Sequence, residues 1–435
     1  MKIINPSPFE NKRSVEVPTR PNRQAYPKTA VRRLPTSGSL SAPAAGSARR
    51  RHKNSGLRKR RLLLFIEAVL LLVFAMQSAV FVGYLLKPKP LPELLPEAVS
   101  LSIPPHYVFS IYGVDKPVSV AVSPDGERVY AAETEGERLV RIFDRDGKPL
   151  GSFAPPRTAI PERSPVYLAV ARDGKVFVSD RAQHAIVVFD ALGNYLDTIL
   201  SPTLTLSEYV SKHAGGLAPG TRFEYSLFDP SVHYQKPGEA EQSLPAPDIY
   251  DWSPLGLRID REGRLLFTDV ADDRSAVQLF PQSVIDSAVW TNFETNGRRF
   301  GEFGEEAGKM SYPNSAIADS QGRVYVSDSN NSRISVWDGQ GNFMFNFGRG
   351  TGEGALSLPR GLAIDERNRL YIVDAVGQSV KVYDVAGDEV NFLFSFGEYG
   401  MGDGQFNYPN DIALDNTGRL YVVDRENNRV QVWLY

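Results

Sequence analysis

Along the C-terminal three quarters of the chain, one pattern of apolar and polar positions recurs six times. Each copy opens with proline, at Pro117, Pro165, Pro254, Pro313, Pro359 and Pro409, and runs into a short apolar stretch. Asp follows six residues after the proline in four copies, at Asp260, Asp319, Asp365 and Asp415. Nine residues after the proline stands Gly126, Gly174, Gly263, Gly322, Asn368 or Gly418. A second apolar run then ends in an acid: Glu133, Asp180, Asp269, Asp328, Asp374 or Asp424. Two apolar runs around a residue suited to positive φ predict a tight hairpin, with Asn368 the usual stand-in for glycine. A third strand follows, as in RVQVW of residues 429–433. A fourth is seen in FMFNFG of residues 343–348 and FLFSFG of residues 392–397. The Val, Ile, Tyr and Phe content and the glycine spacing exclude a helical repeat.

A unit of four short strands repeating every 40–50 residues or so predicts an all-β, six-bladed β-propeller with four-stranded antiparallel blades. Blades pack on both faces, which suits continuous apolar runs such as LYVVD and VYVSD. The sixth copy reaches only its third strand, at Tyr435, whereas YVFSIYG of residues 107–113 precedes the first copy and resembles a fourth strand. The expectation is that this N-terminal strand completes the last blade and removes an exposed edge.

Residues 105–435 resemble the NHL repeat family. The last three copies carry the resemblance best. In them an aromatic-Gly strand, a Gly-rich loop (EYGMGDGQF), proline, an apolar-Asp strand, YVVD and NNR follow in order. The first copy departs with Glu133 for Asp, the second with Ala185 where others carry Arg274, Arg333 or Arg429, and the third with an insertion on each side. The resemblance implies the propeller fold but not one activity, since such rings host many functions.

The first quarter differs in kind. Residues 62–86 form an apolar run of membrane-spanning length with one charge, Glu67. Residues 1–61 carry a net charge of +14 and residues 87–435 a net charge of −15. The basic flank predicts a single-pass signal-anchor helix in the cell membrane, with a cytoplasmic N-terminus and the propeller outside. A cleaved signal peptide fits less well, because the basic region and the apolar run are both too long. Residues 1–61 are expected to be a disordered tail contacting anionic lipid, and residues 87–105 a proline-rich spacer. The domain boundaries are therefore 1–61, 62–86, 87–105 and 106–435. No nucleic-acid partner is expected.

The absence of cysteine excludes disulfides and thiolate chemistry. The recurring acids read as structural, because a catalytic carboxylate is needed once rather than six times. Asp269 with Arg274, Asp328 with Arg333 and Asp424 with Arg429 are expected to pair across a turn. His184, His213 and His233 lie on segments expected at one rim and form a candidate zinc site. The segment at about 201–251 is an insertion rich in Tyr, Phe and Pro, and long loops on a rigid ring are where recognition resides. Tyr225, Phe228 and Tyr234 are its candidate ligand contacts. Asn314, Arg360 and Asn410 begin first strands and are expected to share the same channel mouth. The resulting expectation is a membrane-tethered, extracytoplasmic binding, scaffold or sensor module for a protein, peptide or glycan, without a cofactor. It resembles the sensor ectodomains of some bacterial transmembrane kinases, minus the kinase. The alternative is a metal-dependent hydrolase or lyase of the lactonase or amidating-lyase type, with zinc or calcium as its metal.

Overall fold

The computed structural model describes residues 64–78, 103–248, 252–271, 274–280 and 298–435. Six antiparallel arrays follow one another along the chain, five of four strands and one, built on Pro165–Val170, extended to five by the short strand Leu204–Thr205. Their first strands are Pro117–Val122, Pro165–Val170, Pro254–Ile259, Pro313–Ala318, Pro359–Ile364 and Pro409–Leu414, which define blades 1 to 6. The turn residues behave as the pattern requires. Gly126, Gly174, Gly263, Gly322 and Gly418 have φ between +74° and +88°, and Asn368 has φ +56°.

The ring closes as expected. His106–Ile111 pairs antiparallel with Arg429–Leu434 and forms the outermost strand of blade 6. Chain segments more than 300 residues apart thus share one sheet.

The second strands Val176–Asp180, Leu265–Asp269, Val324–Asp328 and Arg369–Asp374 are buried along their whole length. Each apolar cluster of the ring is shared by two adjacent blades. Blades 1 and 2 meet over Phe153, Tyr130 and Phe189. Blades 2 and 3 meet over Tyr167, Phe177 and Phe267. The cycle returns to its start where Val423 and Val430 of blade 6 pack against Val120 and Phe143 of blade 1. Burying both faces of every blade makes the ring itself the core, so no separate core layer is needed.

The proline and the acid of each copy have linked duties. They lie opposite each other in register, Pro313 with Asp328 and Pro409 with Asp424, for example. Proline has no N–H to donate there. The carboxylate instead accepts from the amide one or two residues ahead: Ser311 to Asp328 at 2.6 Å, Asn407 to Asp424 at 2.7 Å, Ser253 to Asp269 at 2.9 Å. The four Asp residues at the first hairpin do similar local work. Asp319 accepts from the amides of Gln321 and Arg323, both at 2.9 Å. This is the Asx-turn geometry that ties a tight turn to its own side chain.

The insertion is a small folded unit. Helix Leu206–His213 is capped by Thr205, whose side chain accepts from the Glu208 amide. Strands Arg222–Glu224, Ser231–Gln235 and Gln242–Pro245 form a three-stranded sheet. Leu206, Val210, Phe223, Tyr225, Val232 and Tyr234 make its core.

Among the described residues, no helix is long and apolar enough to cross a membrane. Residues 64–78 of the expected span are helical. The rest of 62–86, the basic segment 1–61 and the spacer up to residue 102 lie outside the described residues, so the expected anchor is described only over those 15 positions.

A cationic cup at the channel mouth

First strands line the channel, and their N-terminal ends converge on one mouth. Asn314, Arg360 and Asn410 all line a cavity of about 200 Å³ there, as their positions in the repeat predict. Tyr167, Arg181, Tyr312, Tyr408 and Arg425 complete its polar surface. No carboxylate lines it among the described residues.

Two of these residues are held in an unfavourable backbone state. Tyr312 and Tyr408 immediately precede a proline and have φ of +57° and +55°. Bulky residues avoid this region, and such strain persists only where surroundings enforce it. The preceding blade does so here: the Tyr408 amide donates to the Gln378 side chain at 2.7 Å and the Tyr312 amide to Ser275 Oγ at 3.4 Å. The result presents two phenols at the mouth. Arg181 Nη1 donates to the Tyr312 hydroxyl at 2.8 Å, and Arg360 Nη2 to the Tyr408 hydroxyl at 3.2 Å. Arg360 and Arg425 flank the same Tyr408 ring, at 5.8 and 5.9 Å from its centroid. Arg425 also meets Glu426 at 2.8 Å, a carboxylate already shared with Lys116.

The cup has a floor made of residues that break the repeat. At the third position of the first strands stand Ser119, Tyr167, Gly256, Ser315, Gly361 and Asp411. At the fifth stand Ala121, Ala169, Arg258, Ile317, Ala363 and Ala413. Arg258 reaches across the channel to Asp411, which also accepts from Ser119 Oγ at 2.6 Å. The remaining guanidinium donors go to the carbonyls of Leu362 and Leu257, both at 2.9 Å. Burial pushes the Asp411 carboxyl up, against the lowering effect of Arg258 and Ser119. Beside this crossbar the buried Tyr167 hydroxyl donates to Asn314 Oδ1. Burial, then the Asp411 charge, raises the phenol well above its ordinary value, so it stays a donor. Beneath the crossbar lies a second cavity of about 180 Å³, lined mostly by Val, Leu, Ile and Ala. Arg258 lines this second cavity and not the one at the mouth.

The other candidates fall differently. Asn410 Nδ2 donates to the Val118 carbonyl at 2.5 Å, tying blade 6 to blade 1. Of the insertion aromatics, Phe228 is 55% exposed, whereas Tyr225 and Tyr234 are 6% and 7% exposed. Those two are core residues of the insertion rather than the surface anchors expected. Trp252 is fully buried between blades 2 and 3, and Tyr250 lies outside the described residues. The insertion sits on blade 2 loops at the mouth end. Arg157 pairs with Glu224 and Glu241, and the Leu227 amide donates to Gln183.

The three histidines do not assemble. Among the described residues no group of three His, Cys, Asp or Glu is placed to hold a metal ion. His184 has φ +48° and fills the turn position that Ser332, Gln378 and Asn428 fill in other blades, and its Nδ1 bonds the Trp252 carbonyl. His213 bonds the Tyr209 carbonyl one helical turn back. His233 lies between Asp229 and Glu241. Each is committed locally, which corrects the expectation of a shared zinc site.

Sequence reasoning missed Arg181, Tyr312, Tyr408, Arg425 and the crossbar. A signal for part of it was present: aligning the six copies shows Arg258, Tyr167 and Asp411 standing where other copies have small or aliphatic residues.

Residues 406–433 match the NHL repeat, and residues 313–392 match a family described as 6-bladed beta-propeller. The B-box type zinc finger protein ncl-1 of Caenorhabditis elegans is 34% identical over 109 residues, which are 25% of this chain and 12% of that protein. Protein brain tumor of Drosophila melanogaster is 40% identical over 50 residues, which are 12% of this chain and 5% of that protein. The chain thus spans a small fraction of the curated relatives it matches. Among solved structures, a catalytically inactive virginiamycin B lyase from Staphylococcus aureus aligns with a TM-score of 0.45 at 11% identity, over 75% of this chain and 98% of that one. A protein of unknown function from Bacteroides thetaiotaomicron aligns with a TM-score of 0.47 at 16% identity, over 76% and 72%. The chain is an all-β protein of propeller architecture that carries an NHL repeat.

Proposed function

We propose that this chain is a membrane-tethered binding module whose propeller lies outside the cell membrane and captures its partner at the channel mouth. One observation carries the binding reading: the mouth is a cup with three arginines and no carboxylate in its own wall, next to two tyrosines at positive φ. Strain and a concentration of like charge cost stability, and a purely structural rim has no use for either. The apolar run 62–86 behind a basic segment supports the tether, and the positive-inside rule supports the orientation. The partner is a protein, peptide or glycan reaching the cup past the insertion.

A photo-cross-linking residue placed at Asp115, beside the mouth, is expected to trap a partner in intact cells. The same residue at Asp146, in a turn at the opposite end of blade 1, is expected to trap none. Equal trapping at both positions would refute the assignment of the face. Protease added outside the cells is expected to cut the propeller loops and spare a tag at residue 1. A protected propeller would refute the orientation.

A further inference from the structure

The geometry points to a specific chemistry at this mouth: we propose that the cup is an oxyanion receptor. It takes a carboxylate or phosphate group of the ligand between Arg181, Arg360 and Arg425, above Asn314. The inference rests on the mouth being the binding face and adds what it binds.

The first argument is unmet donors. Asn314 is fully buried, its Oδ1 is taken by Tyr167, and its Nδ2 has no acceptor. Arg360 Nε is likewise buried without a partner. Buried polar groups are otherwise paired almost everywhere in folded proteins, because an orphaned donor forfeits its hydration. Both groups line the same cavity and both are donors. What is missing is therefore an acceptor.

Charge gives the second argument. Residues 87–435 are strongly acidic, at a net −15, yet the cup wall contains three arginines and no carboxylate. The crossbar below it is internally balanced, Arg258 against Asp411. The nearest neutralising group, Glu426, is divided between Arg425 and Lys116. A concave wall of one sign focuses its field on the space it encloses.

Preorganisation is the third. The three arginines come from the turn after the second strand of blade 2, the first strand of blade 5 and the turn after the second strand of blade 6. They approach from different sides of the ring. The phenols of Tyr312 and Tyr408 fix two of the guanidinium groups through hydrogen bonds and ring contact. A guanidinium held in this way offers its remaining N–H pair without further ordering, and that fork matches the two oxygens of a carboxylate or phosphate. The cup's volume of about 200 Å³ is below that of a drug-sized site. It accepts one anionic group, such as a chain end or a small acid, and leaves the rest of the ligand outside.

The test uses the full-length chain in detergent micelles, with inorganic phosphate and citrate as separate probes at constant ionic strength. Calorimetric titration is expected to show saturable binding of at least one probe with a dissociation constant of about 1 mM or tighter, within the range open to so small a ligand. Binding of phosphate alone assigns a phosphate-bearing ligand; binding of citrate alone assigns a carboxylate. Arg360→Ala and, separately, Arg425→Gln are expected to weaken binding at least tenfold, while Arg145→Ala at the opposite rim leaves it unchanged. Two results would overturn the proposal. One is no saturable binding of either probe at 20-fold above that constant by a chain that melts like the parent. The other is equal loss in Arg145→Ala. If anion binding fails while cross-linking at Asp115 persists, the face is right and the chemistry wrong. If cross-linking fails while the anions bind, the cup stands and the partner reading falls.

Discussion

Arginine is clasped by a buried carboxylate in the turns of blades 4 and 6; at the channel mouth Arg181 and Arg360 meet tyrosine, and Arg425 shares the partly exposed Glu426 with Lys116. In blade 4, Arg333 Nε donates to Asp328 at 2.7 Å and Nη2 donates to the carbonyls of Glu306 and Lys309. In blade 6, Arg429 repeats the arrangement with Asp424, Gly402 and Gln405. Asn331 and Asn427 add bonds from the same turns to the carbonyls of Gly304 and Gly400. The Asp, Asn and Arg of the repeat therefore clasp the Gly-rich loop that leads into the first strand. Arg333 and Arg429 are 5% and 3% exposed, each with Nε and Nη2 committed to these partners. The mouth uses the same residue type less buried, with Arg181 and Arg360 bonded to neutral phenols and three arginines lining one cavity. Recurrence marks the first set as architecture, and its absence at the mouth supports the proposed site there.

Blade 2 is intermediate. Asp180 occupies the clasp position but faces Ala185 in register, so no arginine stands in the usual place. Its carboxylate is met by the amides of Ser164, Ala182 and Gln183 instead. Burial dominates these bonds and lifts the group to about 6. Blade 3 departs as well: Asp269 stands opposite Ala276 in register, where blades 4 and 6 place Arg333 and Arg429 opposite the acid.

The largest effect is expected from breaking a clasp. Asp424→Ala leaves the Arg429 guanidinium buried without its counter-charge and strips acceptors from Asn407, Asn427 and Gln431. Loss of one partner of a buried ion pair costs about 3–5 kcal/mol. Urea denaturation should show that loss, and a cost below about 1 kcal/mol would place the clasp among ordinary surface pairs.

A smaller, pH-dependent effect belongs to Asp180. Its folded value of about 6 lies above the unfolded 3.8, so the neutral form is favoured by folding. Its contribution is fully present below pH 3.8 and is lost as pH rises to about 6. At about 1.4 kcal/mol for each pH unit of difference, the parent should lose up to about 3 kcal/mol relative to Asp180→Asn between pH 4 and pH 6.5, then run parallel to it. Denaturation curves across that range measure the slope whatever constant offset the amide introduces. A flat difference would mean that the amides alone hold the carboxylate ionised.

Least is expected at the mouth. Arg360→Ala removes one bond to a tyrosine hydroxyl and relieves repulsion from Arg181 and Arg425, so stability should change by less than about 1 kcal/mol. Any gain should shrink with added salt, which screens like charges. A loss of 3 kcal/mol in the same urea assay would make Arg360 a clasp and erase the contrast.

Local chemistry carried much of the ring. A proline that cannot donate, a turn position that wants positive φ and an acid opposite the proline act within about 16 residues, so strand and turn positions were legible at Pro409, Gly418 and Asp424 as well as at the weaker copies. The closing strand was legible because YVFSIYG shares its pattern with the fourth strands of other blades. Three matters were decided only in three dimensions. Tyr225 and Tyr234 read as surface aromatics, but the helix Leu206–His213 and the small sheet fold around them. His184, His213 and His233 read as one rim, but each is taken by a carbonyl or carboxylate within its own segment or the next. Whether an arginine is clasped or free also lies beyond local pattern. Ring closure puts Arg258 beside Asp411 and Tyr167 beside Asn314, pairs 153 and 147 residues apart, and it gathers Arg181, Arg360 and Arg425 from three blades around one axis. Spacing along the chain determines which strands form; only closing the circle determines which side chains meet inside it.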